Sequence, residues 1–283
     1  MRIVTLTTDM GLTDYYVAVL KGNLYQNNSD ITLVDITHHV KPFEIGDAAY
    51  HINASFHQFP EGTIHLIGVD CEPIIHSSNP SLPSIMLYKK HYFVANDNGI
   101  FSLILNGDNP EKFWKVDNIF STPTELKFPL KNIFVPIVKR LVSNEDISTF
   151  ATEESTWNKM LSMAPVFEEN QIKGSVIHID YFGNVITNIT KKHFDKYGDA
   201  PFTLYLRKKE YYIDVISPSY NHVTAGERLA IFNDNGLLEI AVNRGASNNG
   251  GGGAATLLGI SINDTIRIDF NPPGSAKSIQ SFF

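Results

Sequence analysis

An α/β domain with a mostly parallel sheet, followed by an all-β, barrel-like domain, is the architecture this sequence predicts. Three observations carry that reading. Strand-like apolar runs alternate with segments of helical period through the first half. Beyond the segment Met163–Gly174 the helical period vanishes and short β-rich runs between turn residues replace it. The chain is also long enough for two cores, with 283 residues of which 43% are hydrophobic and 19% charged.

The elements follow in order. Arg2–Thr7, Ile31–Ile36 and Thr63–Val69 are β-rich apolar runs, and helical periods fill Asp14 to Asn27 and Glu44 to Phe56 between them. Each helical segment ends at a turn signal, NNSD and then FPEGT. This alternation is that of a parallel sheet joined by helical crossovers. Short strands at Ser84–Leu87 and His91–Ala95 come next, then a helix from Ile133 to Val142. The polar, Pro-containing Met163–Gly174 reads as a linker, and the division is placed at 1–167 and 168–283. Ser175–Asp180, Phe202–Leu206, Tyr211–Val215, Arg228–Asn233, Leu237–Val242 and Thr265–Phe270 supply the strands of the second domain. Asn248–Gly253 (NNGGGG) lacks the spaced glycines of a phosphate loop and reads as a mobile loop.

Composition excludes several classes of function. A formal charge of −7 argues against a nucleic-acid partner and suits a cationic or zwitterionic small molecule. One cysteine, Cys71, excludes an internal disulfide and a Cys-rich zinc site. No secretory leader is evident, and no run approaches the roughly 18 apolar residues of a membrane span, so a cytoplasmic protein with no membrane partner is expected. His38 and His39 are adjacent and, on a strand, face opposite ways, so no metal is assigned to them.

Three loops hold the polar groups suited to chemistry. Asp9 follows the first strand, where a short carboxylate can accept two hydrogen bonds from a ribose diol; the bland alternatives are an Asx-turn for Asp9 and a helix cap for Asp14. Asp70 ends the third apolar run, either as a loop-closing acceptor or as a site residue, and composition does not choose between them. Cys71 beside it has no identifiable base and reads as an inert thiol. Asp180, Phe182 and Asn184 lie on a Phe-Gly-Asn turn whose acceptors and amide can hold a zwitterionic amino-acid head or simply brace the turn.

These segments also carry a family resemblance. TLTTDMGLTDYYVAVLKG, VDITHHVKPFEIGDAAY and FPEGTIHLIGVD, then VIHIDYFGNVITNI and IFNDNGLLEIAVNRG, resemble in order the motifs of the S-adenosylmethionine (SAM) hydroxide adenosyltransferases, whose superfamily includes the SAM-dependent fluorinating and chlorinating enzymes. The resemblance implies a homotrimer with SAM between subunits and attack of water or hydroxide on the ribose 5′ carbon, giving adenosine and L-methionine without cofactor or metal. By motif position it implies Asp9 for the ribose diol, and Asp180 and Asn184 for the methionine portion and nucleoside. It further implies Tyr220 for the adenine face, and Asp234 where a serine usually meets the methionine carboxylate, which an aspartate would repel. Asp70 matches the aspartate of the family's water-handling Asp–Arg–His set, whereas Ser77 and Pro129 stand at the other two positions; His76 and Lys131 are candidate substitutes. Slow hydrolysis is therefore expected, with non-catalytic binding of SAM or adenosine as the alternative. Leu130, where halogenating members have glycine or serine, argues against halide chemistry. A dinucleotide-binding or methyltransferase-like protein is disfavoured because TTDMG replaces a GxGxxG turn.

Overall fold

The computed structural model describes residues 2–26, 30–75, 77–116, 124–161, 164–206, 211–246 and 252–272. The chain divides into two units, Met1–Ser162 and Met163–Phe283.

In the first unit, β1 (Arg2–Thr8), α1 (Tyr16–Tyr25), β2 (Ile31–Thr37), α2 (Ile45–Ser55) and β3 (Ile64–Gly68) alternate as the sequence predicts. β4 (Pro83–Tyr88), β5 (His91–Asn96), α3 (Ile100–Leu105), β6 (Lys112–Val116), α4 (Val135–Val142) and β7 (Ala151–Glu153) complete the unit. The sheet runs β2-β1-β3-β5-β4-β6-β7. Its first four strands are parallel, and β4, β6 and β7 add antiparallel pairings. Asp14 does not cap α1, because the N-cap position falls on Tyr15, which makes no side-chain capping bond.

Period-two alternation divides the core between the two sheet faces. Val4, Leu6, Ile64 and Leu66 pack with Leu20 and Leu24 of α1 and with Val135, Val138 and Leu141 of α4. Ile67, Met86 and Phe93 pack on the other side with Ala48 and Ile52 of α2 and Ile100 of α3. The helix leaving β1 and the helix entering β3 thus cover opposite faces, which makes the β1–β3 boundary the topological switch point where such sheets bind ligands.

The second unit is built from β8 (Val166–Glu168), β9 (Gln171–Ile179), β10 (Val185–Thr190), α5 (Lys191–Asp195) and β11 (Phe202–Tyr205). β12 (Tyr212–Ile213), β13 (Arg228–Phe232), β14 (Leu237–Val242), α6 (Ala254–Leu258) and β15 (Thr265–Phe270) follow. An antiparallel sheet runs β12-β11-β15-β9-β10-β14-β13, with β8 also on β9, and curls into a nearly closed barrel. β9 pairs with β15 over Gln171–Ser175 and with β10 over Val176–Ile179, changing partners just after Gly174. A Cβ on Gly174 would lie 2.4 Å from Ile189 Cγ1, so that close crossing requires glycine. The expected linker is corrected here. Val166–Glu168 and Gln171–Lys173 pair as a hairpin, so the first residues after Met163 belong to the barrel sheet. The boundary therefore precedes residue 167, since Val166 and Phe167 lie within β8.

One buried group in the first sheet has a consequence for pH. His65 on β3 is hydrogen-bonded to Thr5 Oγ1 (2.7 Å) through Nδ1 and to His91 Nδ1 (3.1 Å) through Nε2, and its ring stacks on Phe93. Burial, with a smaller contribution from His91, pushes the His65 pKa down from 6.5 to about 3. A folded-state pKa below the unfolded one means stability that is complete above pH 6.5 and is lost as pH falls towards about 3. Both tryptophans, Trp114 and Trp157, lie in this unit and report its unfolding. Urea unfolding followed by their fluorescence is expected to lose about 3 kcal/mol between about pH 6.5 and pH 4 through this group. His65→Phe, less stable at neutral pH, is expected to show a flatter acid limb; an equally steep limb would contradict the assignment.

Candidate functional site

The parallel strands of the first sheet lead at one edge into polar residues: β2 into His38, β1 into Asp9, β3 through Val69 into Asp70, and β5 into Asp97 and Asn98. Thr8 of β1 is level with Gly68 of β3, so Asp9 and Asp70 leave the sheet from neighbouring strands. Asp9 is half-buried, and its Oδ2 accepts the backbone N–H of Phe43 at 3.0 Å. That long-range contact replaces the local Asx-turn considered for it, while Oδ1 has no partner among the described residues.

Asp70 is exposed and adopts a left-handed backbone conformation, φ 46°, unusual for a residue other than glycine. Asn98 Nδ2 holds it there, donating to the Asp70 carbonyl at 2.9 Å and to its Oδ2 at 3.4 Å. Fully buried Asp97 anchors the preceding turn by accepting Asn158 N on both oxygens at 3.1 Å. Burial raises its pKa, partly offset by the Asn158 bonds.

Leu130 packs against the end of β3. It is fully buried, and a Cβ on Gly68 would stand 2.2 Å from its Cδ2, so β3 must end in glycine for this leucine to fit. Leu130 opens a π-helical turn, Leu130–Phe134, before α4, a feature frequent at functional sites. Ser77 is exposed, and its Oγ accepts Asn79 N in a local turn, while Pro129 is half-buried at the N-cap of the π turn. His76 lies outside the described residues. His38 is buried and His39 exposed, as their opposite facing requires.

Phe43 was not foreseen as a site residue. Its backbone is left-handed (φ 67°), the residue is 74% exposed, and its N–H holds Asp9. Asn98 was missed likewise; the run Asn96-Asp97-Asn98 straight after an apolar strand was its signal.

The second unit holds the other predicted residues. Asp180 Oδ1 accepts Phe182 N (2.9 Å) and Asn184 N (2.8 Å), and Oδ2 accepts Asn184 Nδ2 (3.0 Å), so this carboxylate braces its own turn. Phe182 and neighbouring Tyr181 project as exposed aromatics from the turn, while Asn184 is buried. The turn is seated by the end of the glycine run: a Cβ on Gly253 would stand 2.2 Å from Phe182 O, and Ala255 N donates to Gly183 O. Gly252 and Gly253 are thus packed glycines, which corrects the reading of that end of Asn248–Gly253 as mobile; residues 248–251 lie outside the described residues.

A buried carboxyl, Glu239, links two further predicted positions. It accepts Tyr220 Oη at 2.8 Å and Asn233 Nδ2 at 3.3 Å. Burial raises its pKa, the Tyr220 and Asn233 bonds oppose that, and Asp180 adds to the rise. The Tyr220 ring remains exposed. Asp234 is exposed on the β13–β14 turn, which Asn233 holds by accepting Asn235 N and Leu237 N. Glu239 interrupts the apolar run Leu237–Val242, the signal that marks it in the sequence.

Residues 4–151 match the SAM hydroxide adenosyltransferase N-terminal domain, and residues 174–267 match the C-terminal domain of the same family. The chain belongs to the SAM hydroxide adenosyltransferase family. Among its relatives, the (R)-S-adenosyl-L-methionine hydrolase of Methanocaldococcus jannaschii is 28% identical over 249 residues, covering 85% of this chain and 88% of the relative. The enzyme of that name from Thermus thermophilus is 26% identical, over 87% of this chain and 94% of its own. A fluorinase of Actinopolyspora mzabensis is more distant, at 22% identity over 69% of this chain and 74% of its own. A solved structure of an uncharacterized conserved protein from Thermotoga maritima superposes with a TM-score of 0.81 at 27% identity, covering 94% of this chain and 99% of that one.

The single cysteine offers a direct check on the electrostatics at this edge. Burial pushes the Cys71 thiol up to about 12, and neighbouring Asp9 adds to the rise. Ellman's reagent at about pH 8 is expected to react with Cys71 at least tenfold more slowly in the folded protein than in urea, because the thiolate is the attacking species. Equal rates would contradict the crowded, anionic setting described for residues 9, 70 and 71.

Proposed function

We propose that this protein hydrolyses S-adenosyl-L-methionine to adenosine and L-methionine, and we extend to it the R configuration at sulfur named in its hydrolase relatives. The observation that carries the reading is the pair of carboxylates, Asp9 and Asp70, at the switch point of this family's sheet. The step is a displacement in line with the leaving group: a C5′–O bond forms to water as the C5′–S bond breaks, one proton is released, and the sulfonium becomes a neutral thioether. A sulfonium leaves readily, so the protein's contribution is to orient water, exclude bulk solvent and align the bond. No cofactor or metal is needed.

Asp9 receives the ribose diol. Asp70, braced by Asn98, orients the attacking water and accepts its proton. Asp180 and Asn184 shape the turn that receives the methionine portion and nucleoside, and Phe182 and Tyr220 offer aromatic surface. Asp234 is not assigned the methionine carboxylate, which it would repel. Leu12 and Tyr15, soon after Asp9 in the chain, and Phe43, whose N–H holds it, are exposed apolar side chains that suit burial by a second copy, in keeping with a homotrimer with the site between subunits. We assign the activity to the cytoplasm, in keeping with a small nucleoside substrate. Leu130 fills the volume over Gly68, which supports hydrolysis over halogenation.

Two outcomes are expected. Asp9→Ala should weaken adenosine binding at least tenfold by calorimetry, since charge-assisted hydrogen bonds contribute about 1.5–3 kcal/mol each; equal affinities would remove Asp9 from the site. Turnover of (R)-SAM, assayed beside the M. jannaschii relative, should be at least about a hundredfold slower, because Ser77 and Pro129 supply neither a cation nor a proton acceptor. Asp70→Asn should lower it further. A matching rate would show that another group performs the missing roles, and binding without turnover would favour the non-catalytic alternative.

A further inference from the structure

A chain of polar groups, buried at Thr8 and His38 and open to solvent at Asp35 and Lys21, adjoins the end of β1 and is used by nothing described above. Thr8, fully buried at the end of β1, has its Oγ1 2.8 Å from His38 Nδ1. His38 Nε2 lies 3.1 Å from Asp35 Oδ1, and Asp35 Oδ2 is paired with Lys21 Nζ at 2.5 Å. The β1–β2 register makes this possible. Leu6 stands opposite Asp35 but Thr7 opposite Thr37, so Ile36 is the extra residue of a bulge that brings Asp35, His38 and Thr8 together.

The protons follow from partner chemistry. His38 Nε2 is buried and faces the Asp35 carboxylate without an aligned hydrogen bond; we assign the proton of the neutral ring to Nε2 on charge grounds, so that Nδ1 accepts the Thr8 hydroxyl proton. The Thr8 oxygen is then free to accept the Met10 N–H, at 3.4 Å. Backbone bonds from Gly11 N to His38 O (2.7 Å) and from Val40 N to Thr8 O (3.4 Å) join the same two loops, and Phe43 N closes the arrangement on Asp9. Asp9 thus lies between two residues, Thr8 and Met10, whose relative placement the His38 ring governs.

We propose that His38, acting through Thr8, is a positioning residue for the ribose-diol subsite, holding the Thr8–Met10 turn so that Asp9 presents its free oxygen to a vicinal diol. The inference rests on the assignment of Asp9 given above. It implies a pH response specific to this chain of groups. Burial lowers the His38 pKa, Asp35 opposes that, and Lys21 and His39 reinforce it, so the ring is neutral at pH 7. Protonation would convert Nδ1 to a donor and force the Thr8 hydroxyl to turn.

The test is a double-mutant cycle read by adenosine affinity with the full-length protein. Thr8→Val keeps the shape and removes the hydroxyl, and should weaken adenosine about fivefold. Thr8→Ser should restore affinity to within about twofold of the wild type. In an Asp9→Ala background Thr8→Val should have no further effect, because Thr8 acts through Asp9. Wild-type affinity should fall as pH drops below the histidine range, and Thr8→Val should lose that extra dependence. If Thr8→Val fails to fold, Asp35→Ala, at a partly exposed position, carries the same test by removing the carboxylate that faces His38 Nε2. Unchanged affinity in Thr8→Val with a tenfold loss in Asp9→Ala would overturn the positioning role while leaving the Asp9 assignment intact. An effect of Thr8→Val that persists in Asp9→Ala would also overturn it. Equal affinities of wild type and Asp9→Ala would instead overturn the assignment on which the inference stands.

Discussion

The site of the first unit depends on one constraint: β1 and β3 lie side by side while α1 and α2 cover opposite faces of their sheet. At such a boundary the loops leaving β1 and β3 turn apart, which leaves Asp9 and Asp70 at the edge where open α/β sheets take ligands. Everything specific to this protein is arranged around that edge. The β2 bulge aims His38 at Thr8, Asn98 reaches from β5 to hold a strained Asp70, and Leu130 fills the space that Gly68 leaves.

The electrostatics follow from the same arrangement. Two carboxylates at neighbouring strand ends are held apart by different partners, a backbone amide from the 41–44 turn for Asp9 and the Asn98 amide for Asp70. Both partners are neutral amides, and among the described residues no cation pairs with either carboxylate. The Cys71 thiol beside them is pushed up to about 12, chiefly by burial, with Asp9 adding to the rise. In the second unit the logic differs: Asp180 is committed to the amides of its own turn, and the buried Glu239 fixes Tyr220 from behind.

Much of this was legible in the residues. Period-two and helical patterns located β1, β2, β3, α1 and α2 because each is an uninterrupted run of one period, and Leu237–Val242 and Thr265–Phe270 are strands at the expected bounds. α3 escaped because IFSLIL is apolar all round and carries no period, and β8 because a three-residue exposed strand leaves no pattern. Asp9 and Asp70 announced themselves by ending apolar runs. Phe43 and Asn98 did not, since their roles depend on partners 34 and 28 residues away that only the sheet brings near. Asp14 looked like a cap in sequence, but the helix starts one residue too late for it.

The most direct measurement of the central claim is product analysis after incubating the purified protein with (R)-S-adenosyl-L-methionine in oxygen-18 water. The account predicts adenosine carrying the heavy oxygen at its 5′ position, together with unlabelled L-methionine, because the nucleophile at C5′ is water. Adenosine with no label, or label in the methionine, would contradict attack of water on the ribose carbon.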